Sequence, residues 1–546
     1  MGEKTKKLSN SRFYHITKSK ITWIYDSYTN SIYAIKNSYF NALFNSELEK
    51  KLTASEKVEF NTIRNNIVSL KDIIPESNKS NSSTNVMINV SNNCNLNCSY
   101  CYRNKNDKSI ASVEQIKSAI DYIMNQYEPN SQNYNFTFSM SSESSMDLKI
   151  LKNVALFFDN YENWTFTEED FINKNFEEVY QKLSSLKITE IEFPNYSKEN
   201  TVLILNELIK RKDLRTILKL DENNLPDFIK TEIIKIDHLD YWKLHRVNRW
   251  LLECFFSSTF RSANVKYCSF NFFTNGTNAS NEYINFVKNL DKESLMISID
   301  GKKSVHDKNR INYQNQGSFD QIKMNLTVFR NHGLKLKAST TLTRKYPYPH
   351  KIIDQIKELG FEDVNLCIVR EGFDSSFHQK DLPILFKSYR KVYKKLYKSL
   401  IQNDFAYYNF LKHDSCLTPF LSILNGTKII KRCNLDTQLV IETNGDAYDC
   451  LYFCSNKINK VGNISFSISK NNFNYDLLKV TNRQKCKDCW ARYLCGGTCF
   501  YNSKCTTNSI YEPSPIECQI KQFYAIESIE LLIKLKMKHF DFKKIL

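Results

Sequence analysis

Residues 85–104 read NVMINVSNNCNLNCSYCYRN, and this stretch decides how the rest of the chain is interpreted. Residues 86–90 form a short apolar run, which predicts a strand. Cys94, Cys98 and Cys101 follow in a polar loop that is rich in asparagine. A loop after a strand lies at the carboxyl edge of an α/β sheet, where such folds bind their ligands. The three cysteines are therefore predicted to line a functional site.

Three cysteines are one thiolate short of the four that normally hold a [4Fe–4S] cluster. The missing thiolate leaves one iron open, and an open iron can chelate the amino and carboxylate groups of a small molecule. A sulfonium carbon would then lie beside a one-electron donor, as homolysis of a carbon–sulfur bond requires. The alternative is a closed zinc site whose fourth ligand comes from elsewhere in the chain.

The CxxxCxxC spacing, with an aromatic residue at Tyr100, resembles the signature of the radical S-adenosylmethionine (SAM) superfamily. Residues 94–102, CNLNCSYCY, resemble its SPASM-bearing branch. The resemblance implies that Cys94, Cys98 and Cys101 hold a SAM-binding [4Fe–4S] cluster, with Tyr100 beside the cofactor. It also implies the fold class, an α/β chain with a partial (β/α)6 TIM-like radical SAM barrel.

Strand-like and helix-like stretches alternate after the loop, which favours parallel βαβ units. Between Glu143 and Thr274 the chain is longer than the family spacing, so an insertion without an assigned role is expected at about residues 160–262. Six strand candidates match the number of strands in the family's barrel, namely Val86–Val90, Tyr134–Met140, Cys268–Phe273, Leu295–Ile299, Lys335–Thr341 and Val364–Val369.

Polar residues at the predicted strand ends resemble SAM-binding positions of the same family. Residues 273–277, FTNGT, resemble the TNG turn near the SAM ribose. Residues 298–310, SIDGKKSVHDKNR, resemble a run found in peptide and sulfatase maturases, whose arginine is expected to pair with the SAM carboxylate. Taken singly, each residue is also compatible with an ordinary turn or cap. The residues assigned to SAM on this basis are Thr274, Asn275, Ser298 and Arg310.

The turn after the second predicted strand departs from the family pattern. The family usually has Gly-Gly-Glu-Pro there, with a backbone that meets the SAM amino group, whereas residues 141–144 read Ser-Ser-Glu-Ser. Glycine permits close approach and positive φ, while serine rarely adopts positive φ. Ser142 and Glu143 are assigned to the SAM site, and the serines put the pose and affinity of SAM in question.

A second cysteine-rich region spans residues 416–518. Gly445 lies between Cys433 and Cys450, and residues 486–499, CKDCWARYLCGGTC, hold four more cysteines before the last one. This resembles the seven-cysteine SPASM pattern, and two structural zinc sites are the competing reading. The resemblance implies an outer auxiliary cluster on Cys486, Cys489, Cys495 and Cys518 and an inner one on Cys433, Cys450 and Cys499. The fourth ligand of the inner cluster is predicted to be Cys416 or Cys454, or to be absent.

The N-terminal region shows a hairpin pattern followed by two amphipathic runs. Residues 53–56, TASE, form a capping-box sequence at the start of the second run. The order resembles the small winged-helix module that recruits leader peptides as an added strand. A plain N-terminal extension that packs on the barrel is the alternative. The hairpin strands and runs are Ile21–Tyr25, Ser31–Ile35, Tyr39–Leu52 and Ser55–Leu70.

The 546 residues are too many for one core, so three domains are predicted. They are a leader-peptide-binding-like module at 1–80, the barrel at 81–375, and a linker helix with the SPASM domain at 376–546. No apolar segment reads as an export signal or membrane span, so a cytoplasmic protein with no membrane partner is expected. The net charge of +17 is spread along the chain, which favours composition bias over a nucleic-acid site. The 16 cysteines then indicate metal binding rather than disulfides.

The family resemblance implies an enzyme that modifies a ribosomally made precursor peptide. Its implied cofactors are three [4Fe–4S] clusters and SAM, and an electron donor such as flavodoxin or ferredoxin is expected. A 5′-deoxyadenosyl radical would abstract hydrogen from the peptide, leading to a thioether or carbon–carbon crosslink. One alternative is formylglycine formation, but anaerobic sulfatase maturases carry an aspartate where Leu451 follows Cys450 here. The other alternative is a non-catalytic electron-transfer or scaffold protein.

Overall fold

The structure is a computed structural model that describes residues 12–70, 72–73, 83–103, 105–128, 131, 133–159, 267–290, 294–454, 459–470 and 473–545. The insertion expected at about residues 160–262 lies outside these ranges. Among the described residues, no helix has both the length and the apolar character that a membrane crossing requires.

The N-terminal region is a three-stranded antiparallel sheet covered by helices. The predicted hairpin is confirmed, and it is extended by a further strand at residues 13–18 that was not predicted. The capping box is also confirmed, since Thr53 Oγ1 accepts from Glu56 N and Glu56 Oε2 accepts from Thr53 N. The elements are β1 (Phe13–Lys18), β2 (Ile21–Asp26), β3 (Ser31–Lys36), α1 (Asn37–Phe44), α2 (Ser46–Lys50) and α3 (Ala54–Ser69).

This N-terminal module is fixed to the cysteine-rich region far along the chain. Tyr14 on β1 stacks on Trp490 with ring centroids 4.4 Å apart. Asp72 accepts hydrogen bonds from Lys428 Nζ at 2.7 Å and from Arg492 Nη2 at 3.0 Å. Because each contact joins residues more than 350 positions apart, the two ends of the chain form one continuous packing unit.

All six sequence-predicted strands are confirmed, with ends shifted by a few residues. The first three pair in parallel, as do the last three. A parallel bridge between Thr274 and Ile297 connects the two groups. The carboxyl ends of all six strands therefore lie on the same side. The strands are β4 (Ser83–Ile88), β5 (Asn133–Phe138), β6 (Tyr267–Phe272), β7 (Ser294–Ser298), β8 (Lys335–Leu342) and β9 (Asp363–Ile368).

The two faces of these strands have different chemistry. On β5, Tyr134, Phe136 and Phe138 are fully buried in the main core. The alternate position carries Asn135, whose Oδ1 accepts from Ser269 Oγ at 2.7 Å. One face therefore packs on the apolar core, and the other carries hydrogen-bonded polar side chains. The helices between and beside the strands are α4 (Val113–Tyr122), α5 (Leu148–Asp159), α6 (Asn281–Asn289), α7 (Lys303–Asn309), α8 (Phe319–Asn331) and α9 (Pro349–Glu358), with a π-helical turn at Ile123–Tyr127.

The C-terminal region adds strands to the free edge of β4. Strand β10 (Gln438–Ile441) pairs with β4 in parallel, so the cysteine-rich region is joined directly to the strand that precedes the Cys94 loop. Three short antiparallel strands follow, namely β11 (Asp446–Tyr448), β12 (Lys460–Asn463) and β13 (Ser467–Ile468). The helices are α10 (Leu382–Ile401), α11 (Ala406–Leu411), α12 (Thr418–Leu424), α13 (Leu451–Cys454), α14 (Gln484–Lys487), α15 (Arg492–Cys495), α16 (Phe500–Thr507) and α17 (Pro515–Lys536).

Candidate metal and cofactor site

The Cys94–Cys101 loop follows β4 and is attached to the segment after α7. Asn97 N donates to Ile311 O at 2.6 Å, and Ser99 N donates to Asn309 O at 2.8 Å. The three thiols are half-buried and carry no disulfide. The loop thus holds its three cysteines at the carboxyl end of the parallel strands, where the sequence analysis expected them.

Arg103 folds back under this loop. Its Nη1 donates to Asn92 O at 2.7 Å, and its Nη2 donates to Leu96 O at 3.2 Å. The guanidinium therefore satisfies carbonyl groups on both sides of Cys94. Sequence reasoning missed this residue, because the carbonyl groups that it contacts are brought together only in the folded loop.

The turn after β6 contacts the cysteine loop directly. Asn275 Nδ2 donates to Cys94 Sγ at 3.9 Å and to Asn95 Oδ1 at 2.8 Å. Glu143 accepts from Thr274 Oγ1 and from Asn275 N, both at 2.6 Å. The Glu143 N–H also donates to Asn93 O at 3.0 Å. The turns after β5 and β6 are thereby joined by the Glu143 carboxylate, and the backbone N–H of the same residue joins them to the cysteine loop.

Burial raises the pKa of Glu143, and its hydrogen-bond donors oppose this effect. A second carboxylate, Asp147, accepts from Ser91 Oγ at 2.7 Å, from Ser139 Oγ at 2.8 Å and from the Ser142 hydroxyl. Asp147 was not singled out from the sequence. Its partners are short hydroxyl residues without a recognisable spacing, so no sequence signal pointed to it.

The serines at residues 141–144 fit this backbone without glycine. Positive φ in this turn falls on Ser139, at +56°, and not on Ser141, Ser142 or Ser144. Serine is therefore unstrained at the positions where the family usually has its two glycines. The question that the sequence raised about backbone conformation is answered for this turn.

Tyr100, within the cysteine loop, contacts residues that follow β7. The Tyr100 hydroxyl donates to Asp300, and the Arg310 guanidinium lies 5.3 Å from the centre of the Tyr100 ring. Arg310 Nε is 3.2 Å from Asp300 Oδ1. Ser298 ends β7 half-buried, and its N–H donates to the carbonyl oxygen of Thr274 at 3.0 Å. Arg310, predicted to bind the SAM carboxylate, thus already faces a protein carboxylate.

A buried histidine supports this arrangement from below. Asp300 N donates to His306 Nδ1 at 3.2 Å, and His306 Nε2 lies 2.9 Å from Ser318 Oγ. Burial lowers the pKa of His306 to about 4, so the imidazole is neutral at pH 7. A neutral ring adds no charge next to Cys98 and Asp300.

The first auxiliary set brings together Cys433, Cys450 and Cys499. Burial raises the pKa of Cys433 to about 12, with Cys499 as the next cause. Burial also raises the pKa of Cys450, with Cys499 and Cys433 adding to it. All three side chains also pack against the same apolar cluster, which includes Leu435 and Phe500.

The two candidates for a fourth inner ligand lie in different surroundings. Cys416 is fully buried in the core, and its pKa is raised by burial and by the Asp414 carboxylate. Cys454 is half-buried, its Sγ lies 3.4 Å from the carbonyl oxygen of Cys450, and Glu442 raises its pKa in addition to burial. Cys454 is therefore attached to the backbone of an inner cysteine, while Cys416 is held by Asp414.

The second auxiliary set contains the four predicted outer ligands. The pKa of Cys518 is raised to about 12 by burial and by Cys495, Cys486 and Cys489. Gly496 follows at φ +66°, and a Cβ atom there would approach Ile429 Cγ2 to 2.3 Å. The glycine thus permits the tight turn between the two halves of the set.

Aromatic side chains connect the cysteine loop to the inner set. Tyr102, next to Cys101, lies 4.9 Å from Tyr452, and Tyr452 lies 5.1 Å from Tyr501, measured between ring centroids. The Arg370 guanidinium covers Tyr452 at 5.3 Å. The two regions are therefore in direct packing contact.

The donor chemistry of these sites fits iron–sulfur clusters. Each of the three sites offers only thiols, which are the ligands such clusters require. Burial raises the pKa of Cys94 to about 12, so metal binding there must displace thiol protons. Within the described ranges, no three His, Cys, Asp or Glu side chains are arranged to hold a single metal ion.

Comparison with known proteins gives distant relatives of one kind. A cysteine-type anaerobic sulfatase-maturating enzyme of Clostridium novyi (strain NT) is 25% identical over 249 residues, which is 42% of this chain and 63% of the relative. A serine-type enzyme of Bacteroides thetaiotaomicron is 22% identical over 251 residues, 41% of this chain and 59% of the relative. The matches span about three-fifths of the length of these curated relatives. No protein-family model matches the chain.

The solved structures agree on the fold. The native enzyme anSMEcpe with bound AdoMet and Cp18Cys peptide superposes with a TM-score of 0.52 at 16% identity, covering 83% of this chain and 99% of that one. The same enzyme with AdoMet alone gives 0.52 at 15% identity. The mixed α/β fold is that of these AdoMet-binding enzymes, and together with the curated relatives it confirms the resemblance to radical SAM enzymes. Both curated relatives are enzymes, which supports the same prediction for this chain.

Proposed function

We propose that this chain is a radical SAM enzyme that oxidises a side chain of a peptide or protein. The observation that carries this proposal is the contact of the Cys94 loop with Asn275 and Glu143 at the carboxyl ends of three neighbouring parallel strands. Three thiols with polar groups around them are suited to a cluster with one open iron and a small polar cofactor.

Cys94, Cys98 and Cys101 would hold a [4Fe–4S] cluster in a partial (β/α)6 barrel. With SAM bound, that cluster supplies the electron that splits SAM and yields a 5′-deoxyadenosyl radical. Asn275 Nδ2 would donate to the Cys94 sulfur, and Arg310 would keep Asp300 neutralised while the rest of its guanidinium meets the SAM carboxylate. The remaining residues assigned to the cofactor are Tyr100, Ser142, Glu143, Thr274 and Ser298.

We assign the two auxiliary sets to two further [4Fe–4S] clusters of a SPASM domain. The outer set has four thiols, enough to complete a cluster, and the inner set has three with Cys416 or Cys454 as the fourth. Clusters closed by thiolates store or pass electrons rather than bind SAM. This gives three clusters in all, with domains at 1–80, 81–375 and 376–546.

Two substrate classes remain in view. The curated relatives favour oxidation of a cysteine or serine side chain to formylglycine. Crosslinking of a ribosomally made precursor peptide is the second candidate, because Leu451 replaces the expected aspartate and the N-terminal sheet has the order of a leader-binding module. Both reactions remove hydrogen from a peptide side chain, so both need a peptide partner and an electron donor such as flavodoxin or ferredoxin in the cytoplasm.

The test begins with anaerobic reconstitution of the full chain. We expect iron and sulfide for three clusters and 5′-deoxyadenosine when SAM and a low-potential reductant are added. The spectrum of the reduced protein should change on addition of SAM alone, because the cofactor would bind the open iron. Zinc in place of iron, or no 5′-deoxyadenosine, would refute the proposal.

A further inference from the structure

A cavity of about 420 Å³ lies between the end of β9, the inner cysteine set and the start of α17. Its walls include polar side chains from β4, β9 and β10, so the polar face of the parallel strands opens into it. The lining residues that matter here are Arg370, Glu371, Cys433, Cys499, Glu517 and Lys521.

Glu371 is the acid of this cavity with a free carboxylate. It follows β9 at its carboxyl end and is half-buried, and its N–H donates to Asn502 Oδ1 at 3.0 Å. Within the described residues, its side-chain oxygens have no hydrogen-bond or ion-pair partner. Burial and the neighbouring charge of Glu517 raise the pKa of Glu371 to about 7. The carboxyl group is thus able to take up or release a proton near neutral pH.

The other carboxylates near the inner set differ from Glu371 in contacts or position. Glu517 Oε2 accepts from Cys499 N and Asn502 Nδ2, both at 2.9 Å. Asp449 accepts from the Tyr475 hydroxyl at 3.2 Å and has its pKa raised to about 6 by burial, but it does not line this cavity. Leu451, at the position where the family has its aspartate, cannot accept a proton.

Positive groups face the same cavity. Arg370, Arg432 and Lys521 line it, and burial lowers the pKa of Lys521 to about 8. Cys505, outside the lining, has a pKa raised by burial and to a lesser extent by Glu371. The pKa of Glu371 itself is raised by burial and by the charge of Glu517. Glu371 therefore has both a carboxylate that is free to take up a proton and surroundings that keep it close to half-ionised near neutral pH.

We propose that Glu371 is a catalytic residue that accepts the thiol proton of a cysteine in the peptide substrate. The proposal rests on the proposed function. After a hydrogen atom has left the substrate carbon, the S–H bond breaks and sulfur forms its new bond to that carbon. The proton goes to the Glu371 carboxylate. Cys433, Cys450 and Cys499 would hold the oxidised auxiliary [4Fe–4S] cluster that would take up the remaining electron.

The experiment uses the reconstituted full chain, SAM, a reductant and the Cp18Cys peptide that the solved neighbour binds. The quantity measured is oxidised peptide per 5′-deoxyadenosine, which cancels changes in SAM cleavage. For Glu371→Gln we expect this ratio to fall about 100-fold, the usual scale of a lost general base, with 5′-deoxyadenosine still formed. Glu371→Asp should restore part of it. The control is Asp374→Asn, an exposed carboxylate three residues away, which should leave the ratio unchanged.

The pH dependence of this ratio adds a measurement that a purely structural role of Glu371 would not change. Glu371 accepts protons only as the carboxylate, so the ratio in the unmodified chain should rise with pH through about 7. In Glu371→Gln the ratio should be low and flat. An unchanged ratio in Glu371→Gln, or a wild-type chain that makes 5′-deoxyadenosine but leaves Cp18Cys unmodified, overturns the inference alone. Absence of 5′-deoxyadenosine from the wild-type chain overturns the proposed function instead.

Discussion

The Cys94–Cys101 loop and the outer cysteine set are both rich in thiols, but they are supported in different ways. The loop is held by residues that follow other strands, since the Glu143 N–H donates to Asn93 O and Asn275 Nδ2 donates to Asn95 Oδ1. The outer set combines contacts close in sequence, such as Cys495 Sγ with Gly497 O at 3.5 Å, with the distant contact between Trp490 and Tyr14. Substitutions at the ends of the parallel strands should therefore affect the loop more than the outer set.

The largest expected effect comes from removing one thiol from each of the two sites. Cys98→Ala should reduce 5′-deoxyadenosine formation to the level without protein, because the SAM-binding cluster loses a ligand. Cys489→Ala should lower iron content by about one cluster yet keep SAM cleavage. Chromatography of 5′-deoxyadenosine and iron analysis measure both effects. Equal loss of SAM cleavage in the two variants would contradict the division of roles.

Glu143 tests the distant support of the loop. In Glu143→Gln an amide NH2 replaces one of the two carboxylate oxygens, which accept from Thr274 Oγ1 and Asn275 N, so one of these hydrogen bonds is lost. Groups that orient metal ligands in this way typically matter by about 10–100-fold. The rate of SAM cleavage should fall by that factor. Glu114→Gln, an exposed acid on α4, serves as the matched control and should leave the rate unchanged. An unchanged rate of SAM cleavage in Glu143→Gln would show that the carboxylate does not support the site.

Substitution of Arg370 tests the inner cysteine set. The pKa of Arg370 is raised first by the field of Cys499, so its charge faces that set. A unit charge about 8 Å away is worth about 2 kcal/mol at an effective dielectric of about 20. Arg370→Met should lower the midpoint potential of one auxiliary cluster accordingly, while Arg370→Lys should keep most of it. Redox titration followed by electron paramagnetic resonance measures this, with the outer cluster as internal control.

Gly496 tests the packing of the outer set against Ile429. Gly496→Ala places a methyl group 2.3 Å from Ile429 Cγ2 at a positive φ. Gly426→Ala is the matched control, since its φ is +64° but no atom lies within 4 Å of the added methyl. We expect Gly496→Ala to lower the free energy of unfolding by about 1–2 kcal/mol more than the control. Denaturant unfolding of the reconstituted chain measures it, and equal values would show that the contact relaxes freely.

The sequence predicted the positions of the strands better than the distant contacts that hold them in place. All six parallel strands and the capping box at Thr53 were predicted, because apolar runs and caps are properties of neighbouring residues. Strand β1, with its polar alternation and its packing against Trp490, was not. Although β1 pairs with the neighbouring β2, its packing partner Trp490 lies more than 450 residues away, and no local pattern contains that contact.

The candidate site divides in the same way. The thiols and the Thr274–Asn275 turn have recognisable spacing, and the structure brings Asn275 to Cys94. Asp147 and Arg103 have no motif, because their roles arise from carbonyl and hydroxyl groups that only the folded loop presents. The distances between Arg310, Asp300 and Tyr100 likewise follow from packing and not from spacing.

The attachment of the N-terminal sheet through Tyr14 and Asp72 has a consequence for any peptide that this sheet binds. With the module fixed, the span from its edge to the cysteine loop does not vary. A peptide bound to the sheet then reaches the cofactor only if the peptide segment between its two contacts is long enough. Extra residues in that segment lower the effective concentration of the reactive residue. The protein would select a peptide residue by its distance along the peptide from the bound segment as well as by its chemistry.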